Sequence, residues 1–478
     1  MTQTKSLRQR FIGNKTFYKM VLAVAVPIVI QNGITNFVNL LDNVMVGQLG
    51  TESMSGVAIA NQLIFVFNLC IFGGLSGAGI FGAQYYGSGN HDGVRQTFRF
   101  KLYIIAILST VFLTAFLTKD ADLLSLYLHQ SEGGGDLALT LSEGQIYLRI
   151  MLLGLIPFAL NNAYVGTLRE TGETLLPMKA GITAVLVNLV FNWLLIFGHL
   201  GFPELGVAGA AIATVLSRYV ELAIVMFWTH THKEKNKFIV GAYRSLHIDK
   251  DIVYRIVRKG WPLLLNEVLW SIGMTTITQC YSIRGLSAVA AVNITSTLSN
   301  LFRIVVMASG NSIAILVGQR LGAGRMDEAR DVDNKLIFAS CSLCAVIGLV
   351  LFATAPLFPE MYNTTADVKA IACVLLRVVA CVLPLQAFNN AAYFTLRAGG
   401  KTFITFIFDS MFIWCVSLPA AFYCAHFTGL NVMNMYGIVQ GLEIVKTTLG
   451  FVLIKKGSWL SNIVCYLLII GWILLIVI

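Results

Sequence analysis

Long apolar stretches dominate the chain, and short polar connections separate them. Twelve of the stretches are long enough to cross a bilayer as helices, because about 20 residues rising about 1.5 Å each span the hydrocarbon core. They lie at residues 18–49, 53–85, 97–118, 143–168, 177–199, 206–228, 253–282, 286–320, 334–356, 367–396, 402–425 and 434–454. The stretches are continuous and do not alternate with a period of two, which excludes a membrane barrel. The pattern predicts an all-α polytopic membrane protein with twelve transmembrane helices.

The end of the chain permits one more span. After Lys455 and Lys456 it reads GSWLSNIVCYLLIIGWILLIVI, and from Ile463 onward it contains no charged or amide side chain. An amphiphilic helix lying along the bilayer is the alternative, but such a helix needs a charged face. The composition therefore favours insertion of residues 457–478 as a thirteenth C-terminal span.

Composition excludes several classes of protein. Of the 478 residues, 56% are hydrophobic and only 12% are charged, which is far too apolar for a soluble globular chain. The net charge of +10 comes from residues in short connections, so we expect no nucleic-acid partner. The nine cysteines are scattered, and Cys341-x-x-Cys344 has no second pair to complete a metal site. No nucleophile, zinc or phosphate-loop motif occurs, so we expect neither an enzyme nor an ATP-driven pump.

The charges of the connections predict an orientation. One set of connections is rich in arginine and lysine, whereas the longest opposite connection, from Lys119 to Glu143, carries five acidic residues against one lysine. Basic connections stay in the cytoplasm. We therefore predict a multi-pass protein of the inner (plasma) membrane with a cytoplasmic N-terminus.

The two halves of the chain are a direct repeat. Residues pair at an offset of 235 positions and, later, of 228: Gly50 with Gly285, Gln84 with Gln319, Gly87 with Gly322, Gly89 with Gly324, Asn161 with Asn389, and Arg169 with Arg397. A repeat of six spans, an even number, gives both copies the same orientation, as in parallel-repeat transporters. The predicted parts are an N-terminal lobe (1–228), a basic cytoplasmic linker (229–252), a C-terminal lobe (253–456) and the segment 457–478.

Polar side chains interrupt the apolar spans. Asp42 lies near the end of the first span, in NLLDNVMVGQLG, where an ionised carboxylate costs several kilocalories per mole unless it is paired or hydrated. Four asparagines recur beside it with helical spacing, which predicts a polar stripe facing a water-filled cavity: Asn32, Asn36, Asn39 and Asn43. Hydrogen bonding between helices is the structural alternative for the aspartate and for the asparagines.

Other ionisable residues lie late in the sixth and twelfth spans: Arg218, Glu221, Glu443 and Lys446. We predict that these form salt bridges or extend toward the membrane surface. The two lobes also differ in chemistry. Asp42 pairs with Ile277 in the repeat, and Glu267 pairs with Asn32, so the two acids are not copies of each other.

At these residues the chain resembles the multidrug and toxic compound extrusion (MATE) transporters, over about residues 18–456. The resemblance rests on three features: PIVIQNGITNFVNLLDNVMVGQLG, AQYYGSGN with its partner GQRLGAG, and the paired Asn-Asn…Thr-Leu-Arg segments. It implies two six-helix lobes around a central cavity. It also implies export of organic cations or amphiphiles in exchange for inward H⁺ or Na⁺.

The resemblance also implies site residues. The first-lobe cation site falls on Asp42, Asn188, Asn192 and Thr214, and some relatives have an aspartate in place of Asn192. In the second lobe Glu267 matches a family glutamate, whereas the aspartate of several relatives falls on Gln386.

The sequence thus predicts a cation-coupled antiporter that exports organic cations or amphiphilic drugs by alternating access, with H⁺ favoured over Na⁺. We expect no cofactor, no metal apart from Na⁺ at Asp42, and a monomer in the lipid bilayer. The alternative in the same superfamily is a lipid-linked oligosaccharide flippase. Its cavity should contain several basic residues to hold a pyrophosphate, whereas acids and amides are found here.

Overall fold

The computed structural model describes residues 7–125, 136–362 and 364–464. Twelve long helices account for most of them: α1 (Lys15–Gly47), α2 (Thr51–Gly87), α3 (His91–Thr118), α4 (Leu137–Glu170), α5 (Leu175–Phe197), α6 (Gly206–Thr231), α7 (Lys250–Ser282), α8 (Leu286–Gly322), α9 (Met326–Thr354), α10 (Ala366–Ala398), α11 (Thr402–Phe427) and α12 (Val432–Lys456). Every predicted span coincides with one of these helices. Eleven are long and apolar enough to cross a membrane, and α7 is the most polar of the twelve.

The repeat is visible in the helix boundaries. Helices α1 and α7 have 33 residues each, α2 and α8 have 37 each, and both pairs start 235 positions apart, at Lys15 and Lys250 and at Thr51 and Leu286. The turns repeat as well: Gly50 and Gly285 have φ values of +117° and +98°. Such backbone favours glycine because it has no Cβ. These matches agree with the predicted direct repeat of six helices.

The first compact unit consists of Pro27–Gly82 and His91–Ile256. Within it α6 packs against both α4 and α5. The buried rings of Phe67 on α2 and Phe98 on α3 contact Phe158 and Tyr164 of α4. The connection after α6, predicted as a linker, folds back onto α3. Arg99 of α3 donates hydrogen bonds to the carbonyl oxygens of Gly241, Ala242 and His247 there.

In the described part of the chain, the second compact unit contains the residues from Val257 onward together with those before Pro27 and Ala83–Asn90. Helix α10 packs against α8, α9 and the second half of α12, and Leu375, Leu376 and Met435 are fully buried. The start of the chain and the end of α2 pack with the C-terminal helices in this unit. The predicted lobe boundaries stay a prediction.

The end of α2 crosses the end of α8 in that second unit. A Cβ atom on Gly87 would lie 1.8 Å from the Gln319 carbonyl oxygen, and one on Gly322 would lie 1.9 Å from that of Gln84. The two contacts are equivalent under the repeat, because Gly87 corresponds to Gly322 and Gln84 corresponds to Gln319. The motifs AQYYGSG and GQRLGAG are therefore the two halves of one close helix crossing, for which only glycine leaves room.

The chain after α12 packs beside this crossing. The Gln84 amide donates to the carbonyl oxygens of Ala398 and Ser461 and accepts from the Ile463 amide, and Trp459 is fully buried. Residues 465–478, which include most of the predicted thirteenth span, lie outside the described residues, so that span stays a prediction.

Candidate functional site

The four residues predicted as a cation site lie together in the first unit, on α1, α5 and α6. The Asn192 Nδ2 donates to an Asp42 carboxylate oxygen at 2.5 Å and to the Asn188 Oδ1 at 3.2 Å. Asn188 in turn donates to the Thr214 hydroxyl oxygen at 3.3 Å. Asn188 and Asn192 lie one helical turn apart on α5, so they present neighbouring amides to α1 and α6. The result is a continuous chain of hydrogen bonds that begins at the carboxylate.

The Asp42 carboxylate has an amide as its hydrogen-bond partner, although it lies in an apolar helix. It is half-buried, whereas Asn188 and Asn192 are buried. The Asn192 Oδ1 is buried and accepts no hydrogen bond in the described part of the chain. An amide has a donor and an acceptor at nearly the same distance, so it can bond either an ionised carboxylate or, turned by half a rotation, a protonated one.

The polar stripe on α1 is largely open to its surroundings. Asn36 and Asn43 are exposed and Asn32 is half-buried, while the side chain of Asn39 lies outside the described part. The Asn36 amide donates to the Asn32 carbonyl oxygen at 2.8 Å. Exposure of these amides agrees with a hydrated face, whose role as a cavity wall stays a prediction.

The two candidate residues of the second unit have different partners. The Tyr393 hydroxyl donates to Glu267 at 3.1 Å. The side-chain amide of Gln386 donates to the side-chain oxygen Oε1 of Gln440 at 3.2 Å. Glu267 therefore contacts α10 about two helical turns beyond Gln386, and the two residues have separate hydrogen bonds.

One charged group in the second unit was missed by the sequence reasoning. Asp409 of α11 accepts from the Lys446 ammonium at 2.7 Å and from the Asn266 amide at 3.1 Å. The signal was available, since Asp409 is the only charged residue in the apolar run FITFIFDSMFIWCV. The salt bridge predicted for Lys446 is therefore present. Its neighbour Glu443 accepts from Asn389 at 2.6 Å.

A further buried pair connects α3 and α4 in the first unit. The Lys101 ammonium contacts both carboxylate oxygens of Glu170, at 2.7 and 2.8 Å, and donates to the Thr167 hydroxyl. A Cβ atom on Gly82 would lie 2.1 Å from a Glu170 oxygen, so glycine on α2 makes room for the carboxylate.

Two repeated six-helix sets with polar groups inside apolar helices define a membrane transporter built on parallel repeats. Among the described residues no group of three or more histidine, cysteine, aspartate or glutamate side chains is placed to hold a metal ion. The family model MatE matches residues 27–194 and 262–423, more than half of the chain. The chain belongs to the MatE family, which is a family of transporters and not of enzymes.

Relatives and solved structures agree with this membership. The chain is 26% identical over 449 residues to the probable multidrug resistance protein NorM of Thermotoga maritima, covering 92% of this chain and 93% of that one. It is 25% identical over 421 residues to the probable multidrug resistance protein YoeA of Bacillus subtilis, covering 86% and 88%.

The fold is shared with solved transporters. An outward-facing multidrug resistance MATE family transporter of the MOP superfamily superposes with a TM-score of 0.81 at 21% identity, covering 96% of this chain and 99% of that one. A MOP superfamily transporter from Pyrococcus furiosus, described as having a binding pocket of reverse polarity, gives a TM-score of 0.80 at 20% identity over the same shares.

Proposed function

We propose that this protein exports organic cations or amphiphilic drugs by alternating access, in exchange for a cation that moves inward. The observation that carries the proposal is the Asp42 carboxylate, which lies in a transmembrane helix and is hydrogen-bonded to an amide on α5. A carboxylate with a neutral partner can gain and lose a proton without breaking an ion pair. The names of the multidrug relatives support the substrate class.

Protonation of Asp42 is coupled to its surroundings through the Asn192 amide. In the arrangement described here the amide donates to the carboxylate, and the amide oxygen is left without a donor. An unsatisfied buried acceptor costs about 1–3 kcal/mol. When Asp42 takes up a proton, rotation of the amide turns that oxygen toward the new O–H. The hydrogen bonds to Asn188 and Thr214 then readjust, which links the protonation state to the packing of α1, α5 and α6.

H⁺ is favoured over Na⁺ because of the donor set. A dehydrated Na⁺ needs several oxygen ligands and gains most from more than one carboxylate, whereas Asp42 is accompanied here by the neutral Asn188, Asn192 and Thr214. A proton needs one carboxylate only. One proton moving inward through about 100 mV releases about 2.3 kcal/mol, and each pH unit adds about 1.4 kcal/mol. Together these support a gradient of roughly several hundredfold for a neutral substrate at one-to-one exchange.

The proposal also includes the membrane in which the transporter lies and its orientation there. The arginine- and lysine-rich connections support a cytoplasmic N-terminus in the inner or plasma membrane. The oligosaccharide flippase is not favoured, because the relatives reported above are multidrug proteins and because amides and acids occupy the candidate sites. A monomer suffices for the mechanism, since one chain contains both repeats.

The test is ethidium transport into or out of proteoliposomes, driven in parallel by a pH gradient and by a Na⁺ gradient. Wild-type protein should respond to the pH gradient. Asp42→Asn should abolish the gradient-driven flux, whereas Asp92→Asn, at an exposed acid in the Asp92–Arg95 surface pair, should leave it unchanged. Asn192→Asp, which restores a second carboxylate, should raise the response to Na⁺. Export by Asp42→Asn at the wild-type rate would contradict the proposal.

A further inference from the structure

The Lys446 ammonium lies beside a carboxylate and two aromatic rings, which are the groups that bind organic cations. Its Nζ lies 2.7 Å from an Asp409 carboxylate oxygen, 5.4 Å from the centre of the Phe408 ring and 5.9 Å from that of Phe412. A carboxylate beside aromatic faces attracts alkylammonium groups through charge and through the negative ring faces. The protein's own side chain is the occupant in this structure.

The carboxylate is held in place independently of Lys446. The Asn266 amide on α7 donates to the second Asp409 oxygen at 3.1 Å. The side-chain oxygen Oδ1 of Asn266 accepts from the Ser410 hydroxyl at 2.7 Å and from the Ser410 backbone amide at 3.3 Å. Removing the lysine would therefore leave the carboxylate oriented toward the space that the ammonium vacates.

The local backbone of α11 is adapted to this arrangement. Residues Ile407–Met411 and Ile413–Ser417 are wound as π-helix, with an extra residue in each hydrogen-bonded turn. Such segments are rare and are frequently found at functional sites. Phe408 and Phe412 remain on the same side of α11, one turn apart, and both are buried.

Comparison of the repeats argues against a purely structural ion pair. At the offset of 228 positions, Lys446 corresponds to Arg218 and Asp409 corresponds to Gly181. Arg218 donates to the Gly154 carbonyl oxygen at 3.2 Å and lies over the Phe158 ring at 5.0 Å. The first unit therefore keeps the basic residue but has no acid at the position equivalent to Asp409, so that acid is particular to the second unit.

The site is nearly buried in this structure, and Asp409 is its most exposed member. The Lys446 side chain is 9% exposed and that of Asp409 is 16% exposed. A lysine on a flexible four-carbon chain can leave the carboxylate far more readily than an arginine fork can. Removing one partner from a buried ion pair is costly, so Lys446 leaves Asp409 only where another cation takes its place beside the carboxylate.

We propose that Asp409, Phe408 and Phe412 form a binding site for organic monocations in the second unit, and that Lys446 is an internal competitor that the substrate displaces. This inference rests on the proposed function, and it specifies the substrate class as ammonium-type cations. It reverses the usual expectation for a salt-bridge lysine, because loss of the lysine charge tightens binding.

The experiment measures ethidium binding by fluorescence anisotropy to purified protein in detergent, with no ion gradient. Lys446→Met, which keeps the length and removes the charge, should lower the ethidium Kd by about tenfold if the native site is open about a tenth of the time. The double variant Asp409→Asn/Lys446→Met should lose this gain. Lys446→Arg, the matched control, should not show the gain.

An unchanged or weaker Kd in monodisperse Lys446→Met would overturn the site, and so would a gain that persists in the double variant. If Lys446→Met is not monodisperse, Asp409→Asn in the otherwise native chain replaces it and should weaken binding severalfold; unchanged binding overturns the site. If the wild-type protein exports ethidium but the Lys446 and Asp409 variants do not change ethidium binding as expected, only this binding site is contradicted. Absence of proton-driven export contradicts the proposed function instead.

Discussion

The crossing of α2 and α8 gives a prediction about stability that depends only on geometry. Alanine at Gly87 places a methyl group 1.8 Å from the Gln319 carbonyl oxygen, and alanine at Gly322 places one 1.9 Å from that of Gln84. Real Cβ atoms essentially never approach another atom within 3.0 Å, so the backbones must separate by at least about 1.2 Å. Both obstructing atoms belong to helix backbone, which cannot turn aside as a long side chain can.

The cost follows from overpacking. Inserting a methyl group into a well-packed contact costs about 1–3 kcal/mol, and separation also loosens the Gln84 hydrogen bonds to Ala398 and Ser461. The two substitutions share one contact, so they should not be additive. Once Gly87→Ala has separated the helices, much of the room that Gly322→Ala requires is already present. The double variant should therefore cost clearly less than the two single costs together.

The assay is thermal unfolding of detergent-purified protein, followed by tryptophan fluorescence. Gly87→Ala and Gly322→Ala should each lower the Tm by several degrees. Gly437→Ala is the matched control: it lies in a helix, its added Cβ would meet nothing within 4 Å, and alanine favours helix by about 1 kcal/mol over glycine. If the two crossing variants melt at the temperature of Gly437→Ala, or if their effects add fully, the close crossing does not govern stability.

Three further predictions concern charge and topology. Glu267→Gln should reduce ethidium transport in proteoliposomes while the protein stays monodisperse, because it removes the only charge in that hydrogen bond to α10; wild-type transport would assign the glutamate to packing. Lys101→Met should destabilise the protein by about 3–5 kcal/mol, since it removes the ammonium that faces the largely buried Glu170 carboxylate, and Lys101→Met/Glu170→Gln should recover most of the loss in Tm; no recovery would show that packing, not charge, is responsible. An impermeant thiol reagent should label a cysteine placed at Ser125 from outside and one placed at Val240 only after permeabilisation; the reverse pattern would invert the proposed orientation.

The helices and the repeat were predictable because their signals are visible in the sequence alone. A span needs a continuous apolar run, and a repeat of glycine and polar positions at one offset is visible without any structure. Asp42, Asn188, Asn192 and Thr214 were grouped through the resemblance to a family, and the structure places them in one hydrogen-bonded chain. Their coupling role is a proposal that transport measurements have to decide.

The second unit was harder to predict because its partners come from distant segments. Asp409 and Lys446 meet across α11 and α12, and Asn266 reaches them from α7. No spacing rule connects three helices, and the π-helical turns of α11 change which residues share a face. The sequence also gave no reason to assign Ala83–Asn90 to the C-terminal unit.

The hydrophobic pattern by itself determined the twelve long helices, because the bilayer imposes a similar length and polarity on every span. The repeated glycine and polar positions determined the equivalence of the two halves. Which polar groups meet was decided only by the tertiary structure. A buried charge is tolerated where a partner or an amide is brought within about 3 Å, and that distance depends on how helices cross. Asp42 and Asp409 show the difference: each is a lone acid in an apolar run, yet packing gives one an amide partner and the other a lysine.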